Sequence, residues 1–265
     1  MRILIVGGGG REHALALAIS KNPKVEKIYC LPGNGGIAQV AECAPIKSTD
    51  IPAVVDFAVK HGVDFAVVAQ DDPLALGAVD RLHDQGIRCF GPTQAAAQIE
   101  SSKVFSKDLM KKYGIPTARY EVFTDAEQAV SYARAQRYPL VVKADGLALG
   151  KGVIIAKAHE EAEQAIRGML SGALFGTSGK RVVIEEFLEG PEVTVLSFTD
   201  GHTLIPMVSS MDHKRAGDGD TGLNTGGMGV IAPNPFYTPE IADRCMKEIF
   251  LPTLKAMNEE GRPFK

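Results

Sequence analysis

The sequence has little of three features that would each identify a large class of protein: closely spaced cysteines, excess positive charge and long apolar runs. The four cysteines show no CxxC spacing, which indicates neither a disulfide framework nor a zinc site. A formal net charge of −3 argues against a general nucleic-acid or membrane-surface binder. No apolar run reaches membrane-spanning length, and the apolar strand before the first glycines is too short for a signal peptide. We therefore expect a cytoplasmic protein with reduced thiols.

What is present is an ordinary composition, 45% hydrophobic and 23% charged, over 265 residues, which predicts more than one lobe. Up to about residue 92, short apolar strands alternate with helical patterns, and this predicts a parallel sheet with helices on both faces. The predicted strands are Arg2–Val6, Lys27–Leu31, Phe65–Ala69 and Arg88–Phe90, and the predicted helices are Glu12–Ser20, Ile51–His61 and Leu74–Gln85.

A compact α+β lobe is predicted after residues 93–116, which form a helix that ends over 112–116, with Gly114 at the C′ position and Pro116 preventing continuation. Thr124 and Glu127 fit a capping box for a helix to about Gln136. The other predicted elements are a helix at His159–Leu170, strands at Arg181–Phe187, Val193–Phe198 and Thr203–Ser210, a polar loop at Asp212–Gly229, and a helix from Pro239 to about Glu260 that bends at Pro252.

The most informative stretch is a glycine-rich loop between two β-branched runs, from Leu140 to Ile155. Because strands flank it on both sides, it closes a hairpin and could lie over a triphosphate as a flap. Lys143 and Lys151 would supply positive charge, while three glycines would let backbone N–H groups approach anionic oxygens: Gly146, Gly150 and Gly152. The alternative is a surface hairpin with solvated lysines.

A second glycine turn, Gly7–Gly10, follows the first strand and starts a helix. The third glycine of a GxGxxG motif would fall at Glu12, and the second strand lacks a following acidic residue, which argues against nicotinamide binding. The turn can still hold a phosphate or carboxylate at the helix N-terminus. The alternative is a tight turn needed only for packing.

Two further groups of residues have both a functional and a structural interpretation. Lys103 and Lys107 share one helix face, so that either could reach a nucleotide phosphate or both could be solvated. Glu185 ends a buried strand where a carboxylate or carbonyl could accept from an adenine amino group, whereas Glu186 and Glu189 fit a solvated edge. The 212–229 loop mixes basic, hydroxyl and amide groups, which suits a charged substrate better than a disordered linker.

Together these segments resemble the ATP-grasp superfamily and, within it, the glycinamide ribonucleotide synthetase (phosphoribosylamine–glycine ligase) family. The matching segments occur in order over essentially the whole chain, and those at 143–147 and 224–229 are specific to the family. They are Gly8–Ala14, Pro32–Gly36, Phe90–Thr93, Ser102-Lys103, Lys143–Val153, Ile184–Leu188, Asp212–Arg215 and Asn224–Gly229.

The resemblance implies an α/β chain with a Rossmann-like, pre-ATP-grasp domain at 1–102 and an α+β ATP-grasp domain at 103–265, whose lid lobe covers about 121–190. It implies an ATP-dependent ligase that joins glycine to 5-phosphoribosylamine through a glycyl phosphate in purine biosynthesis. Implied requirements are ATP and Mg²⁺ or Mn²⁺, and a monomer is expected.

The resemblance also implies roles for individual residues. Lys143, Lys214 and Arg215 would be catalytic. ATP would contact Lys103, Lys143, Gly146, Gly150, Lys151, Gly152, Glu185, Phe187, Leu188 and Glu192. Phosphoribosylamine would lie between the N-terminal glycine turns and the 212–229 loop, at Gly9, Gly10, Arg11, Glu12, Gly33, Asn34, Asp212, Asn224, Thr225, Gly226, Gly227 and Met228.

Two departures from the family pattern affect these expectations. Gln70-Asp71-Asp72 stands where the family commonly has Gly-Pro-Glu, which affects the substrate pocket. The family continues beyond this sequence into a strand, a glutamate and an asparagine that bind magnesium, and a further domain. We therefore expect a chain truncated at its C-terminus that lacks part of the catalytic site. A non-catalytic nucleotide-binding fragment and another ATP-grasp carboxylate–amine ligase are the alternatives, and the 212–229 segment argues against the latter.

Overall fold

A computed structural model describes residues 1–147, 152–174, 180–219 and 221–265, with Leu223 and Asn224 described by their backbone only. The chain divides into two compact units. Unit 1 comprises Met1–Ser101 with Gly261–Lys265, and unit 2 comprises Ser102–Glu260.

Unit 1 is built on a parallel sheet with the strand order β3-β2-β1-β4-β5. Its strands are β1 (Arg2–Gly7), β2 (Lys27–Pro32), β3 (Glu42–Cys43), β4 (Phe65–Val68) and β5 (Arg88–Phe90). Its helices are α1 (Gly10–Ser20), α2 (Ile51–Lys60), α3 (Asp71–Ala75), α4 (Ala78–His83) and α5 (Gln94–Ser101). The predicted parallel sheet is confirmed.

The central strand β1 shows why this sheet is covered on both faces. Leu4 and Val6 are buried in one apolar cluster, and Ile3 and Ile5 are buried in another. Successive side chains of a strand point to opposite faces, so an uninterrupted apolar strand needs a layer of helices on each side. Each side chain buried in this way contributes about 1.5–3 kcal/mol to folding.

Two long predicted helices are wrong because each contains a short non-helical break. Gly77, with φ +80°, separates α3 from α4 within the predicted Leu74–Gln85 helix. Ser102, with extended φ −132° and ψ 110°, separates α5 from α6 (Lys103–Tyr113). The Ser102 side chain accepts from the backbone N–H of Phe105 and so caps a new helix. The end at Gly114, with φ +66°, is confirmed.

The described part of unit 2 contains a four-stranded antiparallel sheet of order β6-β9-β7-β8. Its strands are β6 (Tyr120–Phe123), β7 (Leu140–Ala144), β8 (Val153–Ala156) and β9 (Val182–Glu186), and its helices are α7 (Ala126–Arg134) and α8 (His159–Leu170). Both helices pack against one face of the sheet through a buried apolar cluster. The predicted glycine-loop hairpin of β7 and β8 and the predicted α8 are confirmed.

The predicted capping box at Thr124 and Glu127 is wrong by one residue. Asp125 caps α7, because its carboxylate accepts from the backbone N–H of Gln128 at 2.9 Å. Glu127 instead forms an ion pair with Arg167 on α8, at 2.6 Å. The carboxylate of Asp125 thus replaces the predicted hydroxyl cap.

The remainder of unit 2 consists of short strands followed by a helical segment. The strands are β10 (Ser197–Thr199), β11 (Leu204–Pro206), β12 (Met211–Asp212), β13 (Arg215–Gly217), β14 (Thr221–Asn224) and β15 (Val230–Ile231). The predicted strands Val193–Phe198 and Thr203–Ser210 are therefore too long, and β11 stops at Pro206, which has no N–H for the ladder. The predicted polar loop at Asp212–Gly229 is folded into β12–β15 and β13–β14 pairs.

The last helical segment runs from α9 (Pro239–Cys245) through a short π-helix (Met246–Phe250) into α10 (Leu251–Glu259). The irregularity directly before Pro252 confirms the predicted disturbance at that proline, which cannot donate to the preceding turn. Among the described residues, no helix is long and apolar enough to cross a membrane.

Candidate functional site

The strand register places Lys143 and Glu185 on the same face of the unit 2 sheet. Val141 lies directly opposite Glu185, and Lys143 lies two residues further along β7. Side chains two apart in a strand share a face, which here is the face opposite α7 and α8. The Nζ of Lys143 donates to Oε2 of Glu185 at 2.9 Å. Two residues from the sequence-predicted nucleotide site are thus brought together.

Lys107, from α6, approaches the same oxygen and completes a lysine–glutamate cluster of Lys107, Lys143 and Glu185, in which Lys107 and Glu185 are buried. Its Nζ lies 3.1 Å from Oε2 of Glu185 and donates to Oγ1 of Thr117 at 2.7 Å. Burial lowers the pKa of Lys107, and the Glu185 carboxylate opposes that shift. The sequence interpretation offered Lys107 as a phosphate contact or a solvated lysine, and the structure shows it buried. The sequence did contain a sign of this burial, because Lys107 lies three residues after Val104 and so shares the buried face of the helix.

The second oxygen of Glu185 is buried and, in the described part of the chain, has no hydrogen-bond partner. Buried carboxylate oxygens are almost always paired, so this oxygen is an acceptor that a donor group of a ligand could fill. The exocyclic amine of adenine is such a donor. The chemistry of this cluster therefore fits a nucleotide, with a free acceptor beside two ammonium groups.

Asp145 connects the glycine hairpin to the start of α6, a role that the sequence analysis missed. Its Oδ1 accepts from the backbone N–H of Val104 at 2.8 Å and from the Ser102 hydroxyl at 3.0 Å, and its Oδ2 pairs with Arg181. An acidic residue at a strand end directly before glycines was the only sequence signal. Through these bonds Asp145 fixes the helix N-terminus that carries Lys103.

Lys103 and the described glycines of the hairpin lie next to Asp145. The Nζ of Lys103 donates to the carbonyl of Gly146 at 3.0 Å, and the carbonyl of Gly152 accepts from the N–H of Ala144 at 2.9 Å. Gly150 and Lys151 lie outside the described residues. The two ends of the hairpin loop are thus fixed to α6 and to β7.

Residues 187–192 follow β9, where the sequence analysis expected adenine and ribose contacts. Phe187 is half-buried and Leu188 is 65% exposed. Glu192 is exposed and forms an ion pair with Lys214. Lys214 also lies 3.9 Å from a carboxylate oxygen of Asp212. The structure thus pairs a residue predicted to bind ribose with one predicted to be catalytic.

The hairpin that contains residues 212–229 fixes its own predicted site residues. Arg215 donates to the carbonyl of Gly222 at 2.7 Å, and Oγ1 of Thr225 donates to the carbonyl of Lys214 at 2.8 Å and accepts from the N–H of Gly227 at 3.1 Å. Gly226 and Met228 have exposed positions in the same turn, and the side chain of Asn224 lies outside the described residues. A folded and exposed turn is therefore present where the sequence analysis placed substrate contacts.

The N-terminal glycine turn lies at the carboxyl end of β1 in unit 1, where the strand order reverses: the chain continues from β1 to β2 on one side and from β4 to β5 on the other. Ligands of open parallel sheets bind at such points. Gly9 and Gly10 are exposed, and Asn34 donates to the carbonyl of Gly8 at 2.9 Å. A Cβ on Gly8 would come within 2.6 Å of the carbonyl oxygen of Gly33. Position 8 therefore requires glycine, because the backbone of the turn passes close to the backbone of Gly33.

The side chains around this turn already form hydrogen bonds within the protein. Glu12 is buried, and its Oε2 accepts from the N–H of Gly9 at 2.7 Å. Arg11 donates to the carbonyl of Ala69, and the amide of Gln70 lies 3.5 Å from Glu12. Because Glu12 already occupies the Gly9 N–H, an anion at this helix start would use the following N–H groups.

Comparison with known families decides the identity of this arrangement. Residues 1–100 match the phosphoribosylglycinamide synthetase N domain, and residues 101–265 match the phosphoribosylglycinamide synthetase ATP-grasp (A) domain. The chain belongs to the phosphoribosylglycinamide synthetase family. The resemblance drawn from the sequence motifs is thereby confirmed, as is the fold class of a parallel-sheet domain followed by an ATP-grasp domain.

Relatives of this synthetase family are similar along the whole chain. It is 51% identical to the phosphoribosylamine–glycine ligase of Vibrio vulnificus and 50% identical to that of Haemophilus influenzae, in each case over 100% of this chain and 62% of the relative. The crystal structure of phosphoribosylamine–glycine ligase from Thermotoga maritima matches with a TM-score of 0.85 at 33% identity, covering 100% of this chain and 63% of that one. The chain thus spans about 62% of the length of the curated relatives it matches.

A more distant structure shares the fold alone. The biotin carboxylase domain of Hydrogenobacter thermophilus 2-oxoglutarate carboxylase matches with a TM-score of 0.75 at 19% identity, over 98% of this chain and 58% of that one. Synthetases with an ATP-grasp domain use a divalent cation with ATP. Within the described ranges, no group of three or more His, Cys, Asp or Glu side chains could hold a metal ion.

Proposed function

We propose that this chain is part of an ATP-dependent ligase that joins glycine to 5-phosphoribosylamine, giving glycinamide ribonucleotide. The names of its relatives support the substrates. Nucleotide binding is supported by the lysine–glutamate cluster. One oxygen of Glu185 binds two lysines, and the other has no partner among the described residues.

In this proposal the nucleotide binds on the sheet face that carries the cluster. Adenine donates its amino group to Glu185 and contacts the backbone of Phe187 and Leu188, while Lys103 and Lys143 bind the phosphates. The lid lobe, about 121–190, covers the phosphates with the 146–152 hairpin, including Gly146, Gly150, Lys151 and Gly152. Glu192, whose Oε1 is paired with Lys214, accepts from the ribose hydroxyls through its other oxygen.

Substrate groups are assigned separately to an exposed turn of each unit. In unit 1 the glycine turn offers the N–H groups of Gly10 and Arg11 at the start of α1 as a phosphate site. Gly9, Glu12, Gly33 and Asn34 shape that turn. In unit 2, Lys214 and Arg215 supply positive charge, and Asp212, Asn224, Thr225, Gly226, Gly227 and Met228 supply the surrounding polar and backbone groups.

The proposed reaction has two transfers. A carboxylate oxygen of glycine attacks the γ-phosphorus of ATP, the bond to ADP breaks, and glycyl phosphate forms. The amine nitrogen of phosphoribosylamine then attacks the glycyl carbon, phosphate leaves, and the nitrogen loses a proton. Lys143 and Lys103 neutralise charge on the phosphates, so positioning and electrostatics supply most of the rate. A divalent cation, Mg²⁺ or Mn²⁺, bound with ATP would add to that neutralisation.

Glycine-dependent release of ADP tests this function. The chain is incubated with Mg-ATP and freshly generated phosphoribosylamine, with and without glycine, and ADP is quantified. Release that requires glycine supports the ligase. ATP binding without glycine-dependent release would instead fit a non-catalytic nucleotide-binding module.

A further inference from the structure

Two lysines share one oxygen of Glu185, but they are held very differently. We propose that Lys107 is a positioning residue that keeps the Glu185 carboxylate in place while Lys143 leaves it to bind the nucleotide phosphates. This inference rests on the proposed function, because it assumes that a nucleotide binds at the lysine–glutamate cluster. It adds a change of ion-pair partners, here called the handover: Glu185 pairs with both lysines before the nucleotide binds and with Lys107 alone afterwards.

Lys107 has the contacts of a permanent partner. Its side chain is 9% exposed, and its ammonium group has three acceptors: Oε2 of Glu185 at 3.1 Å, Oγ1 of Thr117 at 2.7 Å and the carbonyl of Ala118 at 3.4 Å. An ammonium group has three protons, so each can be directed to one of these acceptors. Moving Lys107 would break three contacts and leave Glu185 with less compensation.

Lys143 has the contacts of a partner that can leave. Its side chain is 25% exposed, and within the described ranges its one hydrogen-bond acceptor is Oε2 of Glu185, at 2.9 Å. It stands one residue before the end of β7, next to the glycine hairpin. Rotation of its flexible side chain would exchange this single bond for bonds to phosphate oxygens.

The handover needs the second lysine because the carboxylate is buried. The Glu185 side chain is 5% exposed, and a buried carboxylate without a cation is strongly unfavourable. If Lys107 were absent, Lys143 would be the only cation on that oxygen and would be held there. The phosphates would then lose a contact, while the adenine acceptor on Glu185 would remain in position.

The distinguishing measurement is the affinity for ATP compared with that for adenosine, by isothermal titration calorimetry. Lys107→Met should weaken ATP binding at least tenfold and change adenosine binding less than twofold. Lys107→Arg should restore most of the ATP affinity. Lys111→Met removes an exposed lysine from the next turn of α6 and serves as the matched control with unchanged affinities. A role of Lys107 in structure alone would weaken both ligands equally, and that result would overturn the handover.

A second comparison removes the carboxylate, and it also applies if Lys107→Met does not fold. Lys107 has nothing to hold in Glu185→Gln, so Glu185→Gln and Lys107→Met/Glu185→Gln should bind ATP within twofold of each other. A further tenfold loss in the double variant would overturn the proposal. A wild-type chain that binds neither ligand would overturn the proposed function and the handover with it. Wild-type binding with proportionate losses would overturn the handover alone.

Discussion

Asp145 is the residue on which the geometry of the candidate nucleotide site depends most. Its carboxylate caps α6 through Val104 and Ser102 and pairs with Arg181, while its carbonyl accepts from the N–H of Lys103 at 3.1 Å. The side chain is almost fully buried, and the N–H of Val104 that it accepts from is buried as well, so loss of the carboxylate leaves that donor unpaired. One carboxylate therefore holds the helix start and the hairpin in register.

Asp145→Ala should lower the free energy of unfolding by about 2–4 kcal/mol, since it removes a helix cap and leaves buried donors unpaired. ATP affinity should fall as well, because Lys103 and Gly146 lose their common anchor. Urea unfolding and calorimetry measure the two effects. Asp125→Ala removes an exposed cap from α7 and is the control, with a loss of about 1 kcal/mol and unchanged ATP affinity. Equal effects of both substitutions on ATP binding would contradict the assignment.

Two thiols of unit 1 should lower the free energy of unfolding at high pH. Burial raises the pKa of Cys30 and of Cys89 from 9.0 to about 12. Between these values the unfolded chain loses thiol protons that the folded chain keeps, so the free energy of unfolding falls as the pH rises. From pH 8 to pH 10, urea unfolding should show a loss of about 1 kcal/mol per thiol. In Cys30→Ala/Cys89→Ala, the decrease in the free energy of unfolding between these pH values should be about 2 kcal/mol smaller. An equal pH dependence in this variant and the wild type would contradict a role of the two thiols.

At the residue scale, the sequence predicted that Lys143 and Glu185 lie near the ends of strands, which is confirmed, whereas the register that brings β7 beside β9 was not predicted. The burial of Lys107 could not be predicted with the same ease. Lysine is almost always exposed, and its burial here depends on Glu185, which lies far away in the sequence. Asp145 was missed for the same reason, since its partners belong to α6 and to the residue before β9.

At the scale of elements, regular patterns predicted regular structure and single residues decided the boundaries. The β7–β8 hairpin and α8 follow from strand and helix periodicity. The breaks at Gly77 and Ser102 lie inside continuous helical patterns, where local backbone conformation prevails over periodicity. The strands within 212–229 were not predictable because their pairing is short and rich in glycine.

The end of α6 provides a prediction at this scale. Gly114 has φ +66°, and a Cβ there would meet nothing within 4 Å, so only backbone strain opposes a side chain. Gly114→Ala should therefore lower the free energy of unfolding by about 1–2 kcal/mol. Gly229 has equally open surroundings without a left-handed φ, and Gly229→Ala should change stability by about 0.5 kcal/mol or less. Urea midpoints of both variants check this, and equal losses would contradict it.

At the scale of the whole molecule, a net negative chain carries a local positive cluster. The formal charge is −3, yet Lys103, Lys107 and Lys143 lie around the β7 end of the unit 2 sheet. This distribution fits a small anionic ligand rather than a polyanion, because binding depends on a few converging groups. Family membership was predictable from motifs spread over the chain, and the described structure adds that Lys107 and Lys143 both contact the carboxylate of Glu185.

The central claim is that ATP binds at the sheet face carrying Lys143, and the titration of ATP into the wild-type chain tests it most directly. Saturable binding is expected. It should weaken by about 10- to 100-fold in Lys143→Ala, since a lost charge-assisted contact to phosphate is worth about 1.5–3 kcal/mol. Lys157→Ala removes an exposed lysine just after β8 and should bind as the wild type does. No binding by the wild type, or equal binding by Lys143→Ala, would contradict the account.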